Sequence, residues 1–274
     1  MDASYRTFFG FKKEPFTSDL ELEEILKTPE LVEIKERFDY AIRIGSMALV
    51  TGDIGSGKST ALRYAKGQLH PSEYKTLSIT ASSGSILEMY RQLLSELGFD
   101  MAGTSRAVMS GRIKREIQEL VLGKKMKAVL IIDEASLIRM DVFSELHTIT
   151  QFDHDSKPYL PIILAGQSLL IDKLAYPTSQ PLASRIVARS HLDGVSRDDM
   201  EQYLKHHLSI AGVKKNLFDH SAVTAIHQGS GGLFRKANHL ARNALIAAAR
   251  SQSMAVNSEH VRLASTEIFC SATR

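Results

Sequence analysis

The segment Thr51-Gly52-Asp53-Ile54-Gly55-Ser56-Gly57-Lys58-Ser59-Thr60 fits the pattern G-x-x-x-x-G-K-[ST], whose chemistry is the capture of a phosphate chain. Its glycines permit backbone turns that a Cβ would obstruct, so successive N–H groups can converge on phosphate oxygens. A helix starting just after the loop adds its partial positive end. Lys58 is expected to reach the outer phosphates, Ser59 to offer its hydroxyl to a magnesium ion, and Thr60 to cap or pack beside them. The second reactive element is Val129-Leu130-Ile131-Ile132-Asp133-Glu134, an apolar run that ends in two adjacent carboxylates. Residues that follow one another past a strand end point in different directions. Asp133 is therefore assigned to the metal, and Glu134 to a water molecule that attacks the last phosphate. Either acid alone could simply solvate a strand end; together with the upstream loop they make a nucleoside-triphosphate site.

Such residues work only if a scaffold brings two strand ends to one edge. Short continuous apolar runs at 47–51, 76–80, 128–132 and 161–165 read as buried strands, each separated from the next by enough chain for a crossover helix. That order predicts an α/β fold with a parallel sheet, and Ile186–Leu192 would complete five strands. Between strands, residues 85–97 place Ile86, Leu87, Tyr90, Leu93, Leu94 and Leu97 on one helical stripe, with Gly98 as the stop. After Asp193-Gly194 the strand-like runs cease and helical periodicity takes over. The expected organisation is an α/β nucleotide-binding domain over 1–193, including the N-terminal segment, and a small all-helical domain over 194–274. The first helix of that domain starts at Ser196 with Asp199 three positions on, close to a capping box. Its third helix covers 233–250, with Leu240, Ala241, Ala244, Leu245 and Ala248 inward and Arg235, His239 and Arg242 on the other side.

Composition limits the alternatives. With 274 residues and 43% hydrophobic, the chain can bury one main core and a satellite. A single cysteine, Cys270, rules out an internal disulfide and fits a reducing, cytoplasmic setting as a free thiol. No run is apolar enough to span a bilayer, so no membrane partner is expected. Ten histidines show no metal-ligand spacing, and the adjacent His206 and His207 cannot share a helical face. No Ser-His-Asp or cysteine-based hydrolase pattern is present.

Motif order and the helical second domain resemble the AAA+ ATPases. Tyr5, Phe8-Phe9-Gly10-Phe11, Pro15-Phe16, the 52–58 loop, Ala165-Gly166-Gln167 and Gly232-Leu233-Phe234-Arg235 are similar to the ExeA (GspA) type, with transposition regulators of the TnsC, TniB, MuB and IstB kinds in the wider neighbourhood. The resemblance implies a five-stranded P-loop sheet with a helical lid, ATP and Mg²⁺ as ligands, and a homo-oligomer, ring or filament. It places sensor 1 on Gln167 and sensor 2 on Arg235. Many members carry Asn or Thr at sensor 1; Gln matches the ExeA-like pattern. The arginine finger, donated to a neighbouring subunit, falls on Arg185, with Arg189 as the other candidate. A rigid planar cation suits the charge that develops on a transferred phosphoryl group. The N-terminal aromatics of this family lie near the adenine, which by resemblance puts Phe16 and Pro15 there; packing into a core accounts for them equally.

Purpose is read from charge and from the end of the chain. Arg106, Arg112, Lys114, Arg115, Lys124, Lys125 and Lys127 set seven positive charges against Glu116 and Glu119 within 22 residues. Arg106, Arg112, Lys114 and Arg115 are the candidate contacts to double-stranded DNA, gripping phosphates without reading sequence; a solvated helix face is the alternative. Ser82, Ser83 and Ser85 either join those contacts or cap a helix. Glu21, Glu23, Glu24, Glu30, Glu33 and Glu36 are expected to face away from DNA. ExeA-type secretion ATPases continue into a membrane span and a further domain, whereas this chain stops at Arg274. The expected function is therefore a DNA-bound ATPase that regulates transposition with a transposase or recombinase partner. The alternative is a secretion-system assembly ATPase that acts on proteins.

Overall fold

The computed structural model describes residues 3–100, 103 and 105–270, and the side chains of 5–100, 103 and 105–266. The thiol of Cys270 and Arg274 lie outside them. The chain forms two units, one of residues 27–52 and 58–192, the other of residues 1–26, 53–57 and 193–274.

The first unit is the α/β layer. Helix α2 (Pro29–Ile44; α1 belongs to the other unit) starts with Thr28 accepting from Leu31 N at 3.3 Å and ends at Gly45 in the left-handed region. It lies on β1 (Met47–Gly52) and β5 (Ile186–Leu192). Then follow α3 (Lys58–Gly67), β2 (Tyr74–Thr80), α4 (Ile86–Glu96), α5 (Arg106–Gln118), β3 (Lys127–Asp133), α6 (Met140–Ile149), β4 (Ile162–Gly166), α7 (Leu169–Ala175) and α8 (Gln180–Ala183). All strand pairs are parallel, in the order β2-β3-β4-β1-β5. Three of the apolar runs became the interior strands β1, β3 and β4, where both faces are covered and every residue of β1 and β4 is buried, whereas the run at 76–80 became the partly buried edge strand β2. β5 alternates instead, with Ala188 and Ser190 buried and Val187 and Arg189 exposed, as suits an edge strand.

The second unit is helical: α1 (Ala3–Phe9), α9 (Arg197–Ile210), α10 (His220–Ser230), α11 (Phe234–Arg250) and α12 (Ser258–Cys270). Ser196 Oγ accepts from Asp199 N at 3.2 Å and donates to the Asp199 carboxylate, so one half of the anticipated capping box forms. The N-terminal segment groups with these helices, where the sequence reading assigned it to the α/β domain. The cause is steric and apolar. The inner face of α11 is Ala237, Ala241, Ala244 and Ala248, small enough to admit bulky neighbours, and Tyr5, Phe9, Phe11 and Phe16 fill the same core. Lys12 N donates to Ala211 O at 2.8 Å and Arg242 donates to Phe16 O at 2.6 Å, fixing the segment through its backbone.

His207 lies 2% exposed in this core, stacked on Phe16 at 5.3 Å, and its Nε2 has no hydrogen-bond partner. Burial, with the neighbouring His206 adding to it, pushes its pKa down to about 3. The unfolded chain takes up this proton near pH 6.5 and the folded chain does not. The stability due to neutral His207 is thus complete above 6.5 and declines as pH falls towards 3. Between pH 7.5 and 5 the loss is on the order of 2 kcal/mol. Urea unfolding followed at both pH values should show it, and His207→Phe, which keeps the ring, should flatten the dependence. An equally steep dependence in the variant would remove His207 as its source.

Candidate active site

The phosphate-binding pattern occupies the turn from β1 into α3. Gly55 and Gly57 have φ of +87° and +103°, a region that side chains avoid. Lys58 is 6% exposed and donates from Nζ to Gly52 O at 2.9 Å, which draws the two ends of the loop together. Ser59 and Thr60 are exposed on the first turn of α3, whose N–H groups have no acceptors within the helix. Ser56 Oγ is buried without a hydrogen-bond partner. A buried hydroxyl left so is costly, and an acceptor brought by a ligand would satisfy it. The loop therefore fits a phosphate group.

The acidic tip is built by a strained turn. Glu134 has φ of +52°, and its N–H donates to Asp133 Oδ1 at 2.8 Å. A non-glycine residue in this region costs about 1 kcal/mol or more, and such strain collects at working sites. Next comes a 3-10 turn, Ala135–Leu137, in which buried Ser136 accepts from Gln167 N at 3.4 Å through its hydroxyl. Lys173 on α7 donates to Ser136 O at 2.6 Å and Ile138 O at 2.9 Å. A Cβ on Gly166 would lie 2.8 Å from Ser136 N, so this turn can approach β4 only because residue 166 is glycine. Ser136 and Lys173 thus position the acids and Gln167. Neither carries a sequence signal, since their partners are main-chain groups of another element.

Parallel pairing makes these pieces converge. β4 stands between β3 and β1, with Ile132 opposite Leu164 and Thr51 opposite Gly166. Two strand spacings separate the tips of β1 and β3 by about 10 Å, with Gln167 between them. Gly52, Lys58, Ser59, Gln167, Asp133 and Glu134 accordingly share the carboxyl edge of the sheet, where ligands of open α/β sheets bind. Among the described residues no group of three His, Cys, Asp or Glu side chains could hold a metal. Ser59 and Asp133 suit an ion that arrives with phosphates and keeps waters.

The remaining expected residues divide. Arg235 is exposed at the start of α11, and its N–H donates to Gly55 O at 3.2 Å. Phe16 is 1% exposed, between His207 and Phe218, so it offers no ring face to a ligand; it is a core residue, and the adenine role assigned to it is corrected. Arg185 precedes β5 and so stands at the amino edge of the sheet, about 20 Å of strand from the carboxyl edge. It pairs with Asp155 and donates from Nε to His147 Nδ1 at 3.2 Å. Burial and that guanidinium hold the His147 pKa below its usual value. Arg185 is therefore remote from Glu134 of its own chain. Arg189 is exposed in mid-strand, with its carbonyl taken by Arg37.

Two of the four candidate DNA contacts are engaged elsewhere. Arg106 pairs with Glu145, and Arg112 pairs with Glu116 at 2.8 Å while lying 4.2 Å from the Phe99 ring centre. α5 buries Met109, Ile113 and Ile117, which leaves Arg115 on its outer side and Lys114 at the flank, neither with an acidic partner among the described residues. Ser85 takes the cap position of α4 without a side-chain bond, and Ser82 accepts from Gly84 N and donates to Glu88. Among the described residues no helix is long and apolar enough to cross a membrane.

Residues 43–174 match the AAA domain family. General secretion pathway protein A of Aeromonas hydrophila is 28% identical over 267 residues, which cover 96% of this chain and 48% of that protein. The chain thus spans about half the length of the curated relative it matches. Among solved structures, Cdc6p of Pyrobaculum aerophilum superposes with a TM-score of 0.71 at 15% identity, over 92% of this chain and 70% of that one. The ORC1 protein of Aeropyrum pernix in complex with DNA gives 0.67 at 18%, over 92% and 68%. The Thermotoga maritima RuvB Holliday junction branch migration motor gives 0.55 at 17%, over 94% and 72%. At these identities the likeness is one of fold.

Proposed function

Because this chain carries an AAA domain over residues 43–174 and has the AAA+ fold, we propose that it binds ATP with magnesium and hydrolyses it. The observation that carries this reading is the meeting of Gly52, Lys58, Ser59, Asp133 and Glu134 on one edge of a parallel sheet. Magnesium, held by Ser59 and Asp133, would neutralise phosphate charge there. Lys58 binds the outer phosphates, Glu134 takes a proton from the attacking water, and Gln167 orients the reacting group. Arg185 completes the site of an adjacent copy, so a head-to-tail oligomer, ring or filament, is the active form.

The finer reading is that the oligomer assembles on duplex DNA and directs a transposase or recombinase. Its support is Lys114 and Arg115, which have no acidic partner among the described residues, extended by exposed Lys124 and Lys125. Reversing the pair, with Lys114→Glu and Arg115→Glu, should weaken duplex binding about tenfold at physiological salt and lower the salt slope by about 2. Fluorescence anisotropy over a salt series measures both. An unchanged slope in the double variant removes this surface from DNA binding. Likeness to General secretion pathway protein A favours a second reading, an ATPase that acts on protein partners in secretion. ATP turnover that duplex DNA does not stimulate, in a protein with no duplex affinity, would select it.

A further inference from the structure

The segment 231–235 makes three attachments at once. Leaving β5, the chain at Asp193-Gly194-Val195 is fastened to it: Val195 N donates to Gly232 O at 3.0 Å, and His227 Nε2 lies 2.9 Å from Val195 O. There is no slack in that crossing, because a Cβ on Gly194 would stand 2.1 Å from Gly231 O. Three residues on from Gly232, Arg235 N donates to Gly55 O at 3.2 Å, and a Cβ on Gly55 would lie 2.6 Å from that of Arg235. Between these attachments the Phe234 ring borders Gly57: a Cβ placed on that glycine would be in ordinary van der Waals contact with Cδ2 and Cε2, at 3.4 and 3.5 Å. The Phe234 ring also meets Tyr203, with centroids 4.5 Å apart, and Tyr203 meets the buried ring of His207 at 4.4 Å. Tyr203 in turn is anchored by donating to Asn238 Oδ1 at 2.9 Å.

We infer that Phe234 is a positioning residue for ATP: its ring, braced by Tyr203 and His207, props Gly57 in the left-handed shape that turns the loop's N–H groups towards phosphates. Glycines, here at φ of +87° and +103°, have more backbone freedom to lose than any other residue type. Without a prop the loop must be ordered by the ligand, and the apparent affinity falls with the fraction of loops already in the competent shape. The aromatic row supplies that order from the helical core before ATP arrives. Placed against the loop and not among the residues assigned to the chemistry, Phe234 acts on affinity and not on the chemical step.

This inference rests on the ATP-binding reading, and the experiment separates the two. ATP affinity with magnesium, by calorimetric titration, and steady-state KM and kcat are measured for the wild type, Phe234→Ala, Phe234→Leu and Phe234→Tyr. Phe234→Ala should bind ATP about tenfold more weakly and raise KM to match, with kcat within about twofold. Phe234→Leu, which keeps bulk without the ring, should lose about threefold, and Phe234→Tyr should bind as the wild type does. If Phe234→Ala does not fold, the leucine and tyrosine variants decide. Equal ATP affinity in wild type, leucine and tyrosine variants overturns the inference, as does a loss confined to kcat. A wild type that fails to bind ATP would instead sink the nucleotide reading itself.

Discussion

Glu134→Gln is expected to lower ATP turnover by about 10²–10⁴-fold while leaving ATP affinity near that of the wild type. The substitution keeps the size and the polar end of the side chain but removes its capacity to accept a proton. Asp133 is assigned to the metal and not to the water, and its Oδ1 accepts from the Glu134 N–H at 2.8 Å. The backbone demand is met by either residue, since the left-handed turn at φ +52° is imposed by the 3-10 turn that Ser136 and Lys173 secure. Folding should therefore be unaffected, and thermal melting provides that control. Phosphate release at saturating ATP, with a parallel binding titration, makes the measurement. Turnover within about threefold of the wild type would show that the base lies elsewhere. Bound but uncleaved ATP should also prolong whatever oligomer the nucleotide favours, which sedimentation of the variant with ATP can reveal.

The sheet was legible because its strands are covered on both faces, so burial shows as unbroken apolar runs such as 128–132, ending at the acids that matter. The loop was legible because cradling a phosphate demands glycine at fixed spacing and a lysine at its end. What escaped reading depends on partners distant in sequence. Phe16 looked available to a ligand, yet its ring is enclosed by His207 on α9 and by Phe218 ahead of α10, both far later in the chain. Arg106 read as a contact to DNA, but its partner Glu145 belongs to another helix and only the fold brings it near; Arg112 pairs instead with Glu116, four residues on in its own helix. Arg185 was selected by resemblance; its position at the amino edge of the sheet adds a constraint that no motif could state, namely that it is remote from its own Glu134. Segment assignment failed for a related reason. The alanine face of α11 was read correctly as inward, but small residues tell that something large must sit opposite, not which part of the chain supplies it.

Lys58→Ala should have the converse outcome, a loss of ATP affinity of about 10²-fold or more, corresponding to about 3 kcal/mol. The ammonium is almost wholly buried, 6% exposed, and a cation so placed meets phosphate oxygens with little screening from water. Alanine is a good helix former, so α3 should start where it does now and the loss should not come from a broken helix. Lys58→Arg retains the charge but replaces a compact point donor by a broad planar fork; it should rescue little. Because the lysine is expected to reach the outer phosphates, ATP affinity should suffer more than that of AMP, and titrations with both nucleotides test this. An equal loss for the two would mean that Lys58 stabilises the loop, through its bond to Gly52 O, and not the ligand. The contrast with Glu134→Gln is the stronger argument. One variant should bind without turning over and the other should scarcely bind, and only a site that holds the loop and the acids on the same edge of the sheet produces that pair of results.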